Sequence, residues 1–164
     1  MKEKEEIFEN IYHSNYDKVM RICLGYTAGN NDEAGDLTQE VFIKVWSSLN
    51  EFRNESKMAT WIYRITVNTC LTRLRKLKKK VKNYDVESVI DVPQENETID
   101  KEIMYEGLYN CINKLSETNR AIILLELEGL PQKEIAEVIG IKHEAIRTRI
   151  HRIKNELIKC VNNE

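Results

Sequence analysis

The sequence predicts an all-α protein of two small helical domains joined by a flexible acidic linker. The 164 residues include only 6 glycines and 2 prolines, and apolar residues recur at helical spacing along most of the chain. No segment shows the alternation of apolar and polar residues that marks a half-buried strand. A polar, acidic segment at residues 83–100 interrupts the helical pattern. We therefore expect domains at residues 1–82 and 101–164, with the interrupting segment as their tether.

The first two helices are expected at residues 7–26 and 32–49, separated by a turn with the sequence GNND at residues 29–32. Four aliphatic residues recur at every fourth position of the second helix and predict its buried stripe: Leu37, Val41, Val45 and Leu49. Phe42 and Trp46 form a second row on its flank.

The third helix, expected at residues 58–79, has two different faces on a helical wheel. One sector is the predicted core face and contains Tyr63, Val67, Cys70, Leu71, Leu74 and Leu77. A second sector contains Trp61, Arg64, Asn68, Thr72 and Arg75, with Ile62 and Ile65 beside it. Such a row suits stacking on an unpaired base, bonding to base edges and holding phosphates. Alternatively, Trp61 is half-buried core and the rest of the row is solvated surface.

Charge is distributed unevenly, although the formal net charge is only −2. Seven lysines and arginines lie within residues 73–82 with no acid among them, and seven acids follow within residues 85–102. Segments of opposite charge indicate different tasks, so the low net charge does not exclude a nucleic-acid surface.

The segment QKEIAEVIGIKHEAIRTRIH, residues 132–151, has helix-turn-helix spacing. Ala136 stands where two helices approach closely, and Gly140 stands where a left-handed turn is needed. The second helix of the motif presents a basic surface suited to phosphates and major-groove base edges. The alternative is the solvated face of an ordinary helical hairpin.

Several classes of protein find no support in the sequence. No apolar run is long enough to span a bilayer, and the start MKEKEE does not resemble a signal peptide, so we expect a cytoplasmic protein without membrane insertion. No residue set suggests catalysis, a metal site or a cofactor. The four cysteines are far apart and form no CxxC pair, which favours buried or incidental thiols over a disulfide: Cys23, Cys70, Cys111 and Cys160.

The two halves together resemble a bacterial RNA polymerase sigma factor of the extracytoplasmic-function group, group 4 of the sigma-70 family. DLTQEVFIKVW at residues 36–46 is similar to region 2.2, which docks on the clamp helices of the polymerase largest subunit. FRNESKMATWIYRITVN at residues 52–68 is similar to regions 2.3 and 2.4, which open and read the minus-ten element. LPQKEIAEVIGIKHEAIRTRIHRIKNEL at residues 130–157 is similar to region 4.2, which reads the minus-thirty-five element. The three motifs occur in the family's order and cover most of the chain.

The resemblance implies roles for residues of the first half. Polymerase contacts are expected at Asp36, Gln39 and Glu40, and Phe42 is either a further contact or, as we slightly favour, core. The loop that captures a flipped base comprises Phe52, Arg53, Asn54, Glu55, Ser56 and Lys57. Asn68 lines the same pocket, and Trp61 matches the aromatic residue at the upstream edge of the melted region or packs as core. The remaining minus-ten contacts are Arg64, Thr72 and Arg75, and phosphates are held by Arg64 and the basic run at residues 73–82.

In the second half, the resemblance implies minus-thirty-five contacts at Arg147, Thr148, His151 and Arg152. The chain departs from the family at the start of this recognition helix, where relatives commonly have Ser or Pro followed by a Gly-Thr pair. Lys142 offers no side-chain acceptor to cap the helix, and Glu144 places an anion near the approaching phosphates. The preferred minus-thirty-five sequence therefore does not transfer from relatives.

The function implied is that of an alternative sigma factor, which directs promoter-specific transcription initiation. The implied partners are core RNA polymerase, through its clamp helices and flap, promoter DNA and an anti-sigma factor. A helix-turn-helix regulator that is not a polymerase subunit would explain residues 132–151 but leave the DLTQE motif unexplained. An antagonist that mimics sigma surfaces would not need two basic faces.

Overall fold

The computed structural model describes residues 1–83 and 99–163, and the side chains of residues 1–82 and 105–163. Within these ranges the chain forms seven α-helices and no strand. The helices are α1 (Lys2–Tyr26), α2 (Asn31–Ser48), α3 (Met58–Asn83), α4 (Ile99–Asn113), α5 (Glu117–Leu127), α6 (Gln132–Ile139) and α7 (His143–Asn163). A single 3-10 turn, Leu49–Glu51, follows α2. The all-α prediction is confirmed, whereas residues 84–98 of the predicted linker lie outside the described residues.

Helix boundaries follow the local sequence closely. The side chain of Asn30 caps α2 by accepting a hydrogen bond from the backbone N–H of Glu33 at 3.1 Å, and Gly29 takes a left-handed conformation (φ +83°). α1 begins five residues earlier than expected, with Glu3 and Glu5 in its first turn, and α3 continues to Asn83 with Lys80 and Lys82 in its last turn. Acids at a helix start and cations at its end are favoured by the helix dipole, which accounts for both extensions.

The N-terminal half is a bundle of α1, α2 and α3. The predicted stripe of α2 is confirmed, because Leu37, Val41 and Val45 are buried and Leu49 is partly buried. The ring of Phe42 is only 3% exposed, which confirms the slight preference for a core position. An aromatic cluster surrounds it, with ring centroids 4.8 to 6.4 Å from that of Phe42 at Phe8, Tyr12 and Tyr16. Trp46 packs edge-on against Phe8 in the same cluster.

The core face of α3 is rotated relative to its prediction. Tyr63, Val67 and Cys70 are buried as expected and Leu71 and Leu74 are partly buried, but Leu77 is 49% exposed. The core instead includes Ile62, which the helical wheel placed beside the polar row, and the two threonines Thr66 and Thr69. Their hydroxyls donate to the backbone carbonyls of Ile62 and Ile65 at 2.8 and 2.7 Å. These bonds within the helix satisfy the hydroxyls, so burying them carries little penalty.

The C-terminal half contains the predicted helix-turn-helix. Gly140 ends α6 in a left-handed conformation (φ +81°), and its backbone N–H donates to the carbonyl of Ala136 at 2.8 Å. Ile135 of α6 and Ile146 and Ile150 of α7 are buried between the two helices. The aliphatic helix α5 packs against both helices of this motif and supplies five core residues of this half, Ala121, Ile122, Ile123, Leu124 and Leu125.

The cysteines correct one expectation. Cys111 of α4 and Cys160 of α7 form a disulfide, so the prediction of unpaired thiols is wrong for these two. They lie 49 residues apart, and only the packing of α4 along α7 brings them together. Cys23 and Cys70 are free, buried, and in contact, with sulfur atoms 3.9 Å apart.

The two halves pack directly against one another. α1 contacts α4 and α5, and α3 contacts α5 and α6. Gly25 of α1 lies so close to α5 that a Cβ added there would fall 2.2 Å from a methyl group of Leu124. Of the described helices, none is both long enough and apolar enough to cross a membrane.

Candidate nucleic-acid interface

Three surfaces carry the residues that the sequence predicts to be functional. The first is on α2, where Asp36 and Gln39 are exposed and Glu40 is half-exposed, 3.4 Å from the ammonium group of Lys44. Phe42 points away from them into the core and offers no surface to a partner. Ile43 completes this face and is 65% exposed. The sequence analysis missed Ile43, although its spacing of three and four residues from Glu40 and Gln39 places it on the same side of the helix.

The second surface begins with the loop between α2 and α3. Arg53, Asn54, Glu55 and Lys57 are exposed, whereas Phe52 and Ser56 are partly buried. Asn54 takes a left-handed conformation (φ +57°), which asparagine tolerates better than most residues. The ring of Phe52 lies on that of Trp61, with centroids 5.1 Å apart. Trp61 therefore braces the start of the loop from the first turn of α3.

From this loop the second surface continues along α3. Trp61 and Arg64 are partly buried, and Asn68, Thr72 and Arg75 are exposed in one row, as the helical wheel predicted. The hydroxyl of Thr72 donates to the carbonyl of Asn68 at 2.8 Å. The row leads into a basic groove lined by Glu40, Thr72, Arg73, Lys76, Leu77, Lys79 and Lys80. Aromatic, polar and cationic groups thus follow one another over the length of a single helix.

Several cations of the second surface already have partners in the C-terminal half. The ammonium group of Lys57 lies 2.7 Å from a carboxylate oxygen of Glu134 in α6. The hydrogen bond to that carboxylate raises the pKa of Lys57 above its ordinary value. Arg64 donates to the backbone carbonyl of Glu137 at 3.3 Å.

The basic end of α3 makes a similar contact with α5. The carboxylate of Glu117 lies 3.2 Å from the ammonium group of Lys78 and 3.5 Å from the guanidinium group of Arg75. The hydrogen bond from Lys78 is the main cause that lowers the pKa of Glu117, and both cations add to it by their charge. The sequence analysis predicted neither the contact between the two halves nor the acidic residues that take part in it.

The third surface is the outer face of α7. Arg147, Thr148, His151 and Arg152 are all exposed and form one stripe, opposite the buried isoleucines of the same helix. A shallow groove at the start of α7 is lined by Gln132, His143, Glu144 and Arg147. Gln132 opens α6 and was not predicted as a site residue. The stripe on α7 therefore presents two guanidinium groups, a hydroxyl and an imidazole to solvent.

Comparison with known families divides the chain into two matched segments. Residues 11–80 match the model of Sigma-70 region 2, and residues 105–157 match the model of Sigma-70, region 4. Among curated proteins, an ECF RNA polymerase sigma-E factor of Haemophilus influenzae is 35% identical over 162 residues, covering 88% of this chain and 82% of the relative. The ECF RNA polymerase sigma factor SigW of Bacillus subtilis is 30% identical, covering 94% of this chain and 89% of the relative.

Two solved structures have the same fold. The sigma factor RpoE in complex with the anti-sigma factor NepR from Bartonella quintana superposes with a TM-score of 0.76 at 22% identity, covering 96% of this chain and 98% of that chain. CnrH in complex with the cytosolic domain of CnrY superposes with a TM-score of 0.70 at 17% identity, covering 98% and 90%. At these identities the likeness concerns the fold alone.

Proposed function

Because this chain belongs to the sigma-70 family, in the extracytoplasmic-function group that directs transcription initiation, we propose that its three surfaces divide that task. The α2 face docks on core RNA polymerase, the loop and α3 open and read the minus-ten element, and α7 reads the minus-thirty-five element. The two family matches fall within residues 1–82 and 101–164, which supports these ranges as the functional units. The exposed row on α3, from Asn68 to Arg75, is the observation that carries this proposal.

The polymerase contact is proposed at Asp36, Gln39 and Glu40 around Ile43. An exposed aliphatic side chain beside exposed polar groups is the composition of an interface, where an apolar contact is flanked by hydrated side chains. Phe42 supports the same helix from inside the bundle. The target is the pair of clamp helices in the polymerase largest subunit, with the flap as the contact of the C-terminal half.

The minus-ten contact is proposed to begin in the loop from Phe52 to Lys57, which captures an unpaired base of the non-template strand. Trp61 supports Phe52 and thereby holds the mouth of the loop, while Asn68 presents an amide that can both donate to and accept from a base edge. Thr72 and the cations Arg64 and Arg75 follow the backbone. Stacking on an aromatic ring contributes roughly 1–3 kcal/mol per base, which helps to offset unpairing.

The minus-thirty-five contact is proposed on α7. Arg147 and Arg152 can hold phosphates or bind guanine, and Thr148 and His151 lie between them facing the major groove. The family acts by binding, and no catalytic step is assigned to this chain. We further propose that it acts in the cytoplasm, where polymerase transcribes, and that an anti-sigma factor binds it, as the anti-sigma factor NepR binds the sigma factor RpoE of Bartonella quintana.

The test is reconstitution with core polymerase. The chain should co-elute with core and support run-off transcription from the promoter of its own operon, and absence of both would overturn the proposal. The double variant Gln39→Ala, Glu40→Ala should bind core at least tenfold more weakly, because truncating central interface contacts costs about 1–2 kcal/mol or more. Glu9→Ala with Lys18→Ala, two exposed positions on α1, is the matched control. Unchanged core affinity in the α2 variant would refute the docking assignment.

A further inference from the structure

Two free cysteines meet in the core of the N-terminal half. Cys23 of α1 and Cys70 of α3 are 47 residues apart, yet their sulfur atoms lie 3.9 Å from each other, within hydrogen-bonding distance for thiols. Both side chains are buried, and no step of the proposed function uses them. The sulfurs of a disulfide are about 2.05 Å apart, so these two would have to approach by about 1.9 Å to form one.

The surroundings of the pair make one of its two protons easier to remove. The hydrogen bond with Cys70 lowers the pKa of the Cys23 thiol, and a hydrogen bond with the Thr38 hydroxyl and the charge of Arg73 act in the same direction against the effect of burial. The hydrogen bond with Cys23 and burial raise the pKa of the Cys70 thiol. The pair therefore loses a first proton more readily than a second, and either sulfur can hold the proton that remains. The thiolate is the form of cysteine that reacts with oxidants.

A small cavity gives an oxidant access to the pair. Cys70 lines a cavity of about 20 Å³, which has room for one molecule of about the size of water. Other lining residues reach the surface, because Glu33 is exposed, Leu77 is 49% exposed and Thr27 is partly buried. Arg73 borders the same cavity with its positive charge. Hydrogen peroxide is only slightly larger than water, whereas the cavity has no room for the carbon chain of an alkyl hydroperoxide.

We propose that Cys23 and Cys70 form a modification site that hydrogen peroxide converts to a disulfide. The thiolate of Cys70, which lines the cavity, attacks one peroxide oxygen, the O–O bond breaks, and the other oxygen takes up a proton and leaves as water. Cys70 is then a sulfenic acid. The sulfur of Cys23 displaces the hydroxyl group from it, the S–S bond forms, and the hydroxyl leaves with the thiol proton as a second water. Two thiols lose two electrons in total, and one peroxide is reduced to two waters.

The second cysteine pair of the chain supports this assignment. Cys111 and Cys160 are joined in a disulfide, whereas Cys23 and Cys70 are a dithiol in contact. Disulfides of cytoplasmic proteins are mostly transient and serve catalysis or redox sensing. A chain that acts in the cytoplasm and contains both forms has the cysteine chemistry of a protein that responds to oxidants.

Oxidation would act on the minus-ten surface through α3. Cys70 lies between Asn68 and Thr72, which are exposed on the opposite side of the helix. Forming the bond draws this part of α3 towards α1 by up to about 1.9 Å, whereas binding groups must be held within about 0.5 Å of their working positions. The disulfide therefore withdraws Asn68 and Thr72 from the strand and lowers promoter opening. This consequence rests on the function proposed above, whereas the oxidation itself does not.

The chemical test counts the free thiols of the denatured chain before and after treatment. Hydrogen peroxide should remove both free thiols, and digestion without reductant should release one pair of peptides joined through Cys23 and Cys70. The ratio of the rates with hydrogen peroxide and tert-butyl hydroperoxide should be about tenfold higher in the folded chain than in urea, because only the smaller oxidant fits the cavity. Thiols that survive, sulfinic acids without a cross-link, or equal ratios would overturn the proposal.

A matched pair of variants tests the charge beside the cavity. Arg73→Gln removes the cation that borders it and should slow oxidation about threefold, because less of the pair is thiolate. Lys76→Gln removes the same charge from the neighbouring basic groove, whose lining includes neither cysteine, and should oxidise at the native rate. Equal slowing in the two variants would reduce the effect to net charge and refute the part assigned to Arg73.

The functional test oxidises the chain alone and removes the peroxide before core polymerase is added, so that the thiols of polymerase are not exposed to it. Run-off transcription should fall about fivefold relative to the untreated chain, as expected for a displaced binding row. Binding to core should be unchanged, because the α2 face contains neither cysteine. Cys23→Ala with Cys70→Ala should transcribe equally before and after treatment, and Cys23→Ala alone serves the same purpose with a smaller loss of packing.

Failure of this inference is distinguishable from failure of the proposed function. A cross-link that forms but leaves transcription unchanged would refute the effect on α3. An untreated chain that does not transcribe with core would refute the function, and the thiol count would still decide whether the pair is a site of oxidation.

Discussion

Ile43 is an exposed side chain whose truncation should measurably weaken binding to core polymerase. It is 65% exposed on the α2 face, so truncation should leave the folded chain intact. If it anchors the polymerase contact, Ile43→Ala should weaken core binding about fivefold to tenfold, equivalent to roughly 1–1.4 kcal/mol. Fluorescence anisotropy of a labelled chain titrated with core measures this effect. Ile158→Ala, at an equally exposed isoleucine on α7, should leave core binding unchanged.

Tyr63 should make the free energy of unfolding decrease as the pH becomes alkaline. Burial raises the pKa of its hydroxyl to about 12, above the ordinary value of 10. The folded state therefore favours the neutral phenol, and this contribution is complete below pH 10 and is lost as the pH rises towards 12. In urea titrations, the free energy of unfolding should fall less steeply over this interval in Tyr63→Phe than in the native chain. Tyr105→Phe, at an exposed tyrosine, should keep the native slope.

Individual residues show what the sequence could and could not predict. The burial of Leu37, Val41 and Val45 follows from their spacing alone. The burial of Thr66 and Thr69 does not, because it depends on hydroxyls that bond within their own helix and so behave as small apolar groups. The left-handed conformation of Gly140 was predictable, since the turn of a helix-turn-helix needs one there.

Substitutions in α7 can show which arginines of the minus-thirty-five surface bind a base and which hold only phosphate. Arg147→Ala and Arg152→Ala should each weaken holoenzyme binding to promoter duplex by about 1–3 kcal/mol if the arginine binds a base, and the loss should vanish on a duplex with a scrambled minus-thirty-five element. An arginine that holds only phosphate should instead weaken binding to both duplexes equally. Gel shifts on the two duplexes separate these outcomes. Lys159→Ala, farther along α7, is the control and should bind both duplexes normally.

The disulfide ties α4 to α7 and should stabilise the C-terminal half. Closing a loop of 49 residues is worth about 4 kcal/mol by the chain-entropy estimate. Adding dithiothreitol should therefore lower the melting temperature, and Cys111→Ser with Cys160→Ser should melt early and no longer respond to the reductant. Cys23→Ser should keep the response of the native chain, because Cys23 is unpaired. A native melting curve that ignores the reductant would contradict this expectation.

Elements were easier to predict than their ends or their cross-links. The three helices of the first half and the three turns of the second are marked by periodicity, glycine, proline and capping residues. The early start of α1 and the long C-terminal end of α3 are favoured by charges that no apolar period reveals. The cysteine pair is invisible in the sequence because only the packing of α4 on α7 defines it.

For the whole molecule, the charged contact between the halves predicts a response to salt. The pairs of Lys57 and of Arg75 involve largely exposed cations, whose attraction is screened over about 3 Å at 1 M salt compared with about 10 Å at 0.1 M. The radius of gyration should therefore grow with salt in the native chain. Glu117→Gln with Glu134→Gln should begin expanded and change little. A native radius that stays constant up to 1 M would contradict this prediction and would indicate that the bidentate pair of Arg21 and Glu128, together with apolar packing, holds the halves together.

The way the two halves pack against each other could not be predicted from the sequence. The motifs predicted both domains and all three surfaces, because each depends on neighbours within one helix or one turn. The meeting of Lys57 with Glu134 depends on two surfaces whose residues are far apart in the chain and have no shared periodicity. The acidic residues Glu117 and Glu134 have no sequence signal that distinguishes them from solvated surface positions.

The close contact between Gly25 and Leu124 should also limit which substitutions are accepted at the two positions during evolution. A larger residue at position 25 requires the side chain of Leu124 to shift or to be replaced by a smaller one, because the added Cβ would fall 2.2 Å from a methyl group of Leu124. Descendants of this chain should accordingly keep the pair or replace both members together, and relatives that have lost the glycine should have lost the bulky leucine too. Substitutions at positions 25 and 124 should then be correlated among relatives.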